Sequence, residues 1–282
     1  MPSTRVLKAL RNVFADLRAS VRLSSDMRSC LRLSADFLLS RFLSALPPRL
    51  IDCMRQVRTR SGVTLCYRLN RGDLQSIREV WFEEAYRLPF PDPCGVLLDL
   101  GANIGLTSLW MAKRYPFTRI IAVEPVPSNA ALARRNFELN GIKAEVLEAA
   151  VGAREGTGKF QVCRNSNQGK LSESGVPVAM VSVDFILEKF ALPQLDLVKV
   201  DIEGGEQELF LGPTAWLDRT KAIIIEFHPT SVDYPLLTKL LEDRGFDFIR
   251  ANTAFPNNMD CFWRSTESLL GRDLVHKAEP FT

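Results

Sequence analysis

Apolar and polar positions change rhythm along the chain. From Val6 to Leu46 the apolar residues recur at helical spacing: Leu23, Met27 and Leu31 form one stripe, which Leu38, Phe42 and Leu46 continue. Arg18, Arg22 and Arg32 point away from that stripe, while Arg28 and Arg41 lie nearer its edges, and Pro47 and Pro48 stop the pattern. Val63 to Leu69 then reads as a strand, and Asp73 is placed to cap a helix running through Ile77, Val80, Trp81 and Tyr86. Pro89, Pro91 and Pro93 break the chain, and Gly95 opens a different regime.

Beyond Gly95, short apolar runs alternate with helical patterns. Val96 to Leu100, Arg119 to Val123, Ala144 to Val151, Leu195 to Val200 and Ala222 to Phe227 read as strands. Ile104 to Lys113 reads as a helix, and so does Ser128 to Leu139, with Ser128 as its cap and Asn140–Gly141 as its end. This rhythm predicts an α/β, doubly wound, mostly parallel sheet with helices on both faces. It fails between Gly156 and Val183, where Gly-Thr-Gly, a polar stretch from Arg164 to Gly175 and strand-like runs around Phe160 and Val178 predict an inserted hairpin. Phe246 to Arg250 and Cys261 to Trp263 look like two further strands joined near Asn257–Asn258, the last one antiparallel. The expected organisation is a basic helical arm over 1–60, an extension over 61–94, a main domain over 95–270 with the hairpin at about 156–183, and a tail over 271–282.

Charge singles out the arm. The net charge is only +3, yet the first 60 residues hold twelve basic and four acidic side chains, so the remainder is mildly acidic and a poor general clamp for nucleic acid. The arm reads either as helices packed on the main domain or as a basic amphipathic element on a membrane surface or a partner. No run approaches the ~20 apolar residues that span a bilayer. The N-terminus lacks the apolar core of a secretory signal, and Asp16, Asp26 and Asp36 argue against a transit peptide. The six cysteines, Cys163 among them, show no Cys-x-x-Cys spacing and suit a reducing compartment, so the expected location is the cytoplasm, with peripheral membrane contact as a further expectation. With His228 and His276 as the only histidines, a polyhistidine metal site is excluded.

The chemistry begins where the first strand of the main domain ends. Asp99, Gly101, Asn103 and Gly105 lead into a helix whose free N–H groups could seat a carboxylate, and the glycines are expected to let the backbone approach a ligand. Glu124, 23 residues after Gly101, closes the second strand, where a carboxylate can accept from two ribose hydroxyls. Asn103 replaces the middle glycine of a dinucleotide loop, and no Gly-Lys-Ser/Thr phosphate loop is present. A ligand without phosphate but with adenosine, an ammonium and a sulfonium suits these acids; S-adenosylmethionine is such a molecule. The fourth strand runs into Lys199-Val200-Asp201-Ile202-Glu203-Gly204-Gly205-Glu206, at the same sheet edge. Three carboxylates over six residues need a partner, which the cofactor's cationic end, a metal ion, Lys199 or a substrate proton could supply. Glu206 is expected to be a first-turn helix acid.

Asp99, Gly101, Ala102, Asn103, Ile104 and Gly105, then Glu124–Pro125, the Asp-x-Glu-Gly-x-Glu block at Asp201, Glu203, Gly204 and Glu206, and Glu226 together resemble the FkbM family of S-adenosylmethionine-dependent methyltransferases over roughly Val63 to Trp263. The resemblance implies a seven-stranded, Rossmann-like class I methyltransferase fold and methylation of a hydroxyl, often on a sugar, glycolipid or polyketide-like product. It places Asp99, Gly101, Asn103, Gly105 and Glu124 against the cofactor and Asp201 near the methyl group; Ala150, in the third strand, is counted with them as a cofactor-binding candidate. His228, directly after Glu226 and Phe227 at the end of the fifth strand, is the first candidate base. Asp201 with Glu203 is the rival, as base or as ligands of a divalent cation. The inserted hairpin and the helix holding Glu79 and Tyr86 are expected to wall a small-molecule or glycan acceptor pocket. Two other readings stand beside this one: an RNA methyltransferase using the Arg-rich arm, and a non-catalytic protein of the same fold. The lack of an Asn-Pro-Pro-aromatic motif disfavours methylation of base amines.

Overall fold

Fully apolar runs build the centre of the sheet, because strands covered by helices on both faces have no wet side. A computed structural model describes residues 4–90, 93–161, 169–171, 174–228, 232–250 and 258–264; Cys163, Asn257, His276 and the expected tail over 271–282 lie outside the described residues. In the main domain the order is β3 (Gly95–Leu100), α4 (Leu106–Arg114), β4 (Phe117–Val123), α5 (Pro127–Leu139), β5 (Ala144–Leu147), β6 (Ala150–Val151), β7 (Gly156–Gln161), β8 (Lys170–Leu171), β9 (Val176–Val181), α6 (Val183–Lys189), β10 (Leu197–Val200), α7 (Glu206–Leu211), β11 (Ala222–Phe227), α8 (Tyr234–Asp243), β12 (Asp247–Arg250) and β13 (Asn258–Trp263). Seven strands form one sheet in the order β12-β13-β11-β10-β3-β4-β5. β3, β4, β5, β10 and β11 are parallel, and β13 runs antiparallel between β11 and β12. The expected doubly wound sheet with an antiparallel last strand is present.

Alternate residues of the central strands feed two cores. Leu97, Ile120, Ala122, Leu197 and Ile224 face one, with α4 and α5; Leu98, Ile121, Val198, Ile223 and Ile225 face the other, with α6, α7 and α8. The expected third strand, Ala144 to Val151, is two strands. β5 ends at Leu147, and β6 leaves the main sheet to pair with β9 in a four-stranded sheet ordered β6-β9-β7-β8. The inserted hairpin is therefore part of a second sheet. The cap expected of Ser128 is also absent: α5 starts at Pro127, whose missing N–H suits a first helical position, and makes no side-chain cap bond.

The arm differs more. It is two helices, α1 (Thr4–Leu23) and α2 (Met27–Leu39), which pack against each other and break at Ser24–Asp26, where Asp26 caps α2 through Ser29 N–H. Most of the expected apolar stripe faces outward, with Met27 73% exposed, Leu31 63% and Phe42 62%, while its ends Leu23 and Leu46 pack against the core. The inner faces carry Asp16, Ser20, Ser29, Leu33, Asp36 and Phe37. β1 (Met54–Arg58), not expected from the residue pattern, pairs antiparallel with β2 (Thr64–Arg68); the expected boundary at residue 60 falls inside that hairpin. Asn70, and not Asp73, caps α3 (Arg71–Ile77), while Asp73 takes a two-pronged hydrogen bond from Arg68. A π-helical turn, Arg78–Phe82, follows.

Two asparagines lock this extension to the main domain. Asn136 on α5 accepts from Cys66 N–H at 2.8 Å and donates to the Cys66 and Ile104 carbonyls. Asn140, one turn later, accepts from Thr64 N–H and donates to the Thr64 carbonyl. The amides thus replace a neighbouring strand along the edge of β2. Asn136→Ala strands the buried Cys66 groups, and we expect a loss of about 2–4 kcal/mol in chemical denaturation. An unchanged unfolding midpoint would remove this latch.

Candidate active site

Parallel strands in register end together, and their carboxyl ends define one rim. Leu100 pairs with Val123 and Val200, and Val200 with Ile225, so Gly101, Glu124, Asp201 and the Glu226–His228 segment emerge side by side. The loop after β3 turns through left-handed backbone at Gly101 (φ 78°), Asn103 (φ 49°) and Gly105 (φ 78°). The glycines serve packing more than ligand approach. A Cβ on Gly101 would lie 1.8 Å from the Asp201 carbonyl oxygen, and one on Gly105 would press on Phe137 and Ala133. Gly101 lines the cavity at this rim and Gly105 does not.

Asp99 is likewise not in the cavity wall. It is wholly buried beneath the loop, accepting from Ser108 Oγ at 2.6 Å and pairing with Lys199 Nζ at 3.1 Å. It supports the loop from below. Lys199 Nζ also donates to the Gly101 carbonyl at 2.6 Å and lies 3.6 Å from Asp201. Burial alone would lower the Lys199 amine, but Asp99 and Asp201 outweigh it and hold the amine above its ordinary range. Among the partners open to Asp201 on sequence grounds, the structure supplies Lys199, together with the Tyr86 hydroxyl, which donates to Asp201 at 3.0 Å.

Glu124 is buried and reaches the cavity. It accepts from Asn103 N–H at 2.9 Å, from Val126 N–H at 2.9 Å and from the Asn129 amide at 3.2 Å. Burial pushes its carboxyl up to about 7 against those bonds, which lower it. Glu124 therefore holds the loop's backbone as well as facing the cavity.

At the other side, His228 Nδ1 lies 2.9 Å from Glu206 and Nε2 lies 3.3 Å from Glu203. Burial would lower this imidazole, but its hydrogen bonds to Glu203 and Glu206, with the charges of Glu206 and Asp201, raise it to about 11. This arrangement favours the protonated ring, in which both nitrogens donate to the flanking carboxylates. Glu206 is a fully buried partner of that ring, more than a first-turn helix acid. Glu203 sits in left-handed backbone (φ 57°), a conformation that persists in a non-glycine residue only where its surroundings hold it. Ligand atoms of Asp201, Glu203 and His228 lie within 4.8 Å of one another, as in a metal-binding group.

These residues surround a cavity of about 230 Å³. Gly101, Asn103, Glu124, Ala150, Asp201, Glu203 and His228 all line it. Ser76 from α3 and Thr107 from α4, not singled out by sequence, also line it, and Phe160 of β7 does so from the expected hairpin wall. Glu79 and Tyr86 form a wall as expected, and burial raises Glu79 to about 7. Ser76 could have been found only through its bond from Asn103, across 27 residues of sequence.

Comparison with known proteins shows the family. A family profile described as the methyltransferase FkbM domain matches residues 99–248, more than half of the chain. Methyltransferase 1 of Beauveria bassiana is 27% identical over 198 residues, covering 60% of this chain and 79% of that protein. The hexuronic acid methyltransferase AglP of Haloferax volcanii is 26% identical over 185 residues, covering 61% and 76%. The 31-O-demethyl-FK506 methyltransferase FkbM of Streptomyces tacrolimicus is 21% identical over 237 residues, covering 70% and 91%.

Lys199→Met keeps the volume and removes the ammonium, leaving Asp99 buried without its ion pair. We expect a destabilisation of about 3–5 kcal/mol in denaturant unfolding at neutral pH. A loss below about 1 kcal/mol would mean that the aspartates do not depend on it.

Proposed function

We propose that this chain, which belongs to the FkbM methyltransferase family, takes a methyl group from S-adenosylmethionine and places it on a hydroxyl oxygen of a sugar, glycolipid or other small molecule. The observation that supports the cofactor is the charge of the cavity. Among the described residues five carboxylates line it, Glu79, Glu124, Asp201, Glu203 and Glu226, against the two basic side chains Lys199 and His228. Lys199 is already neutralised by Asp99. Such a wall repels a pyrophosphate and favours a ligand carrying an ammonium and a sulfonium. The Asn103 side-chain oxygen, buried and without a partner among the described residues, is a further acceptor in that wall. When bound, S-adenosylmethionine supplies an electrophilic methyl on positive sulfur.

The chain's own work is to orient the acceptor and receive its proton. Asp201 and Glu203 are the carboxylates we assign to that proton. His228 positions Glu203 through its Nε2–H, and Glu206 positions His228. A sugar or polyketide-like acceptor is supported by the relatives whose names specify a hexuronic acid and a 31-O-demethyl-FK506. A second reading, favoured by the close approach of Asp201, Glu203 and His228, gives those three to a divalent cation that would activate the hydroxyl.

Calorimetry with S-adenosylmethionine tests the reading, and no binding at millimolar ligand would sink it. A labelled-methyl transfer assay on lipid and glycan fractions then identifies the acceptor. His228→Ala is expected to bind cofactor normally and turn over on the order of 10²-fold more slowly; chelator leaves the native enzyme active in the first reading and silences it in the second. Cofactor affinity is expected to depend on Glu124. Ribose hydroxyls donate to its ionised form, so affinity is full above about pH 7 and falls as pH drops through it. Glu124→Gln should flatten that profile, and a flat profile in the native protein would contradict the role.

A further inference from the structure

The arm is apolar on two sides: Leu33 and Phe37 are buried in the core, while a second apolar set points outward. Its inner faces are fixed by polar bonds. Asp16 pairs with Arg41 at 2.7 Å and with Arg78 of the π-helical turn. Asp36 accepts from the Tyr67 hydroxyl at 2.8 Å and pairs with Arg55 at 3.3 Å. Ser29 Oγ accepts from Arg58 N–H, and Ser25 N–H and Arg60 N–H tie the break between the helices to the β1–β2 hairpin. Rolling either helix to bury its apolar face would strand Asp16 or Asp36, each a buried charge. The outward apolar face is therefore held outward.

On α1 that face reads Arg11, Phe14, Arg18, Val21 and Arg22, all exposed at helical spacing; on α2 it reads Met27, Arg28, Leu31 and Leu38. Between residues 11 and 46 the exposed charged side chains are Arg11, Arg18, Arg22 and Arg28 against the single acid Asp26. Large apolar side chains interleaved with arginines match an interface with acyl chains below and anionic headgroups beside them. Among the described residues no helix is long and apolar enough to cross a membrane, so the face would lie on the surface.

We propose that the outer face of the α1–α2 arm docks this protein on anionic lipid bilayers. The proposal is independent of the methyl-transfer reading. It is tested with the full chain and vesicles of phosphatidylcholine, with and without phosphatidylglycerol, by co-sedimentation. Binding is expected to the anionic vesicles, to weaken as salt is raised, and to fall about fivefold for each of Arg18→Gln and Arg22→Gln. Met27→Glu with Leu31→Glu, both at exposed positions, should abolish binding while leaving the far-ultraviolet circular dichroism and the cofactor affinity unchanged. Three results would overturn the proposal: no binding to anionic vesicles, equal binding by the double variant, or a dimer of the native chain that this variant splits, since the face would then join two copies.

Discussion

One ammonium ties together two neighbouring strand ends of the rim. Lys199 stands opposite Asp99 in the β3–β10 ladder, and its Nζ reaches Asp99, Asp201 and the Gly101 carbonyl. Two aspartates at the ends of adjacent strands would repel each other in a buried setting; a shared cation turns that repulsion into a fixed geometry. Gly101 must then turn through left-handed backbone close against the Asp201 carbonyl, where no Cβ fits. The loop's shape, and the Glu124 bond to Asn103 that completes it, follow from this one charge arrangement.

The wall beyond Asp201 uses the same economy of charge. Glu203, His228 and Glu206 form a carboxylate–imidazolium–carboxylate row, with Glu206 fully buried at one end and Glu203 on the cavity at the other. A proton placed in that row is held tightly, so the ring serves to orient a carboxylate. Tyr86 does the same for Asp201 from the opposite side, donating its hydroxyl while burial and the nearby Asp201 charge hold that hydroxyl well above its ordinary range.

What the sequence made legible follows from how local each signal is. β3, β4, β10 and β11 were readable because strands buried on both faces are short apolar runs bounded by polar residues. The loop, Glu124 and the Asp201 block were readable because chemistry at the ends of parallel strands falls at predictable places. The split between β5 and β6 was not, since Ala149 and its neighbours continue the apolar run while the chain changes sheets. Periodicity showed that the arm has an apolar stripe but could not show which way it faces. That was decided by Arg78 and Tyr67, 62 and 31 residues from the aspartates they satisfy. Asp99 lies beneath the rim and His228 on it, and their partners Ser108 and Glu206, which decide what they can do, are linked to them by no spacing rule.

The cavity has two walls of different origin. Gly101, Glu124, Asp201 and His228 belong to the stretch matched by the family profile, which begins at residue 99. Gln75, Ser76, Glu79, Val80 and Tyr86 come from the segment before it, clamped on by Asn136, Asn140 and the Arg68 bridge to Asn129. The clamp grips mainly backbone atoms of β2, so it fixes the hairpin's position, and Ser76 and Tyr86 then meet Asn103 and Asp201 directly. The two halves of the chamber are thus coupled: a change at Tyr86 or Ser76 in the leading segment alters the polar contacts of Asp201 or Asn103 in the seat built on Lys199.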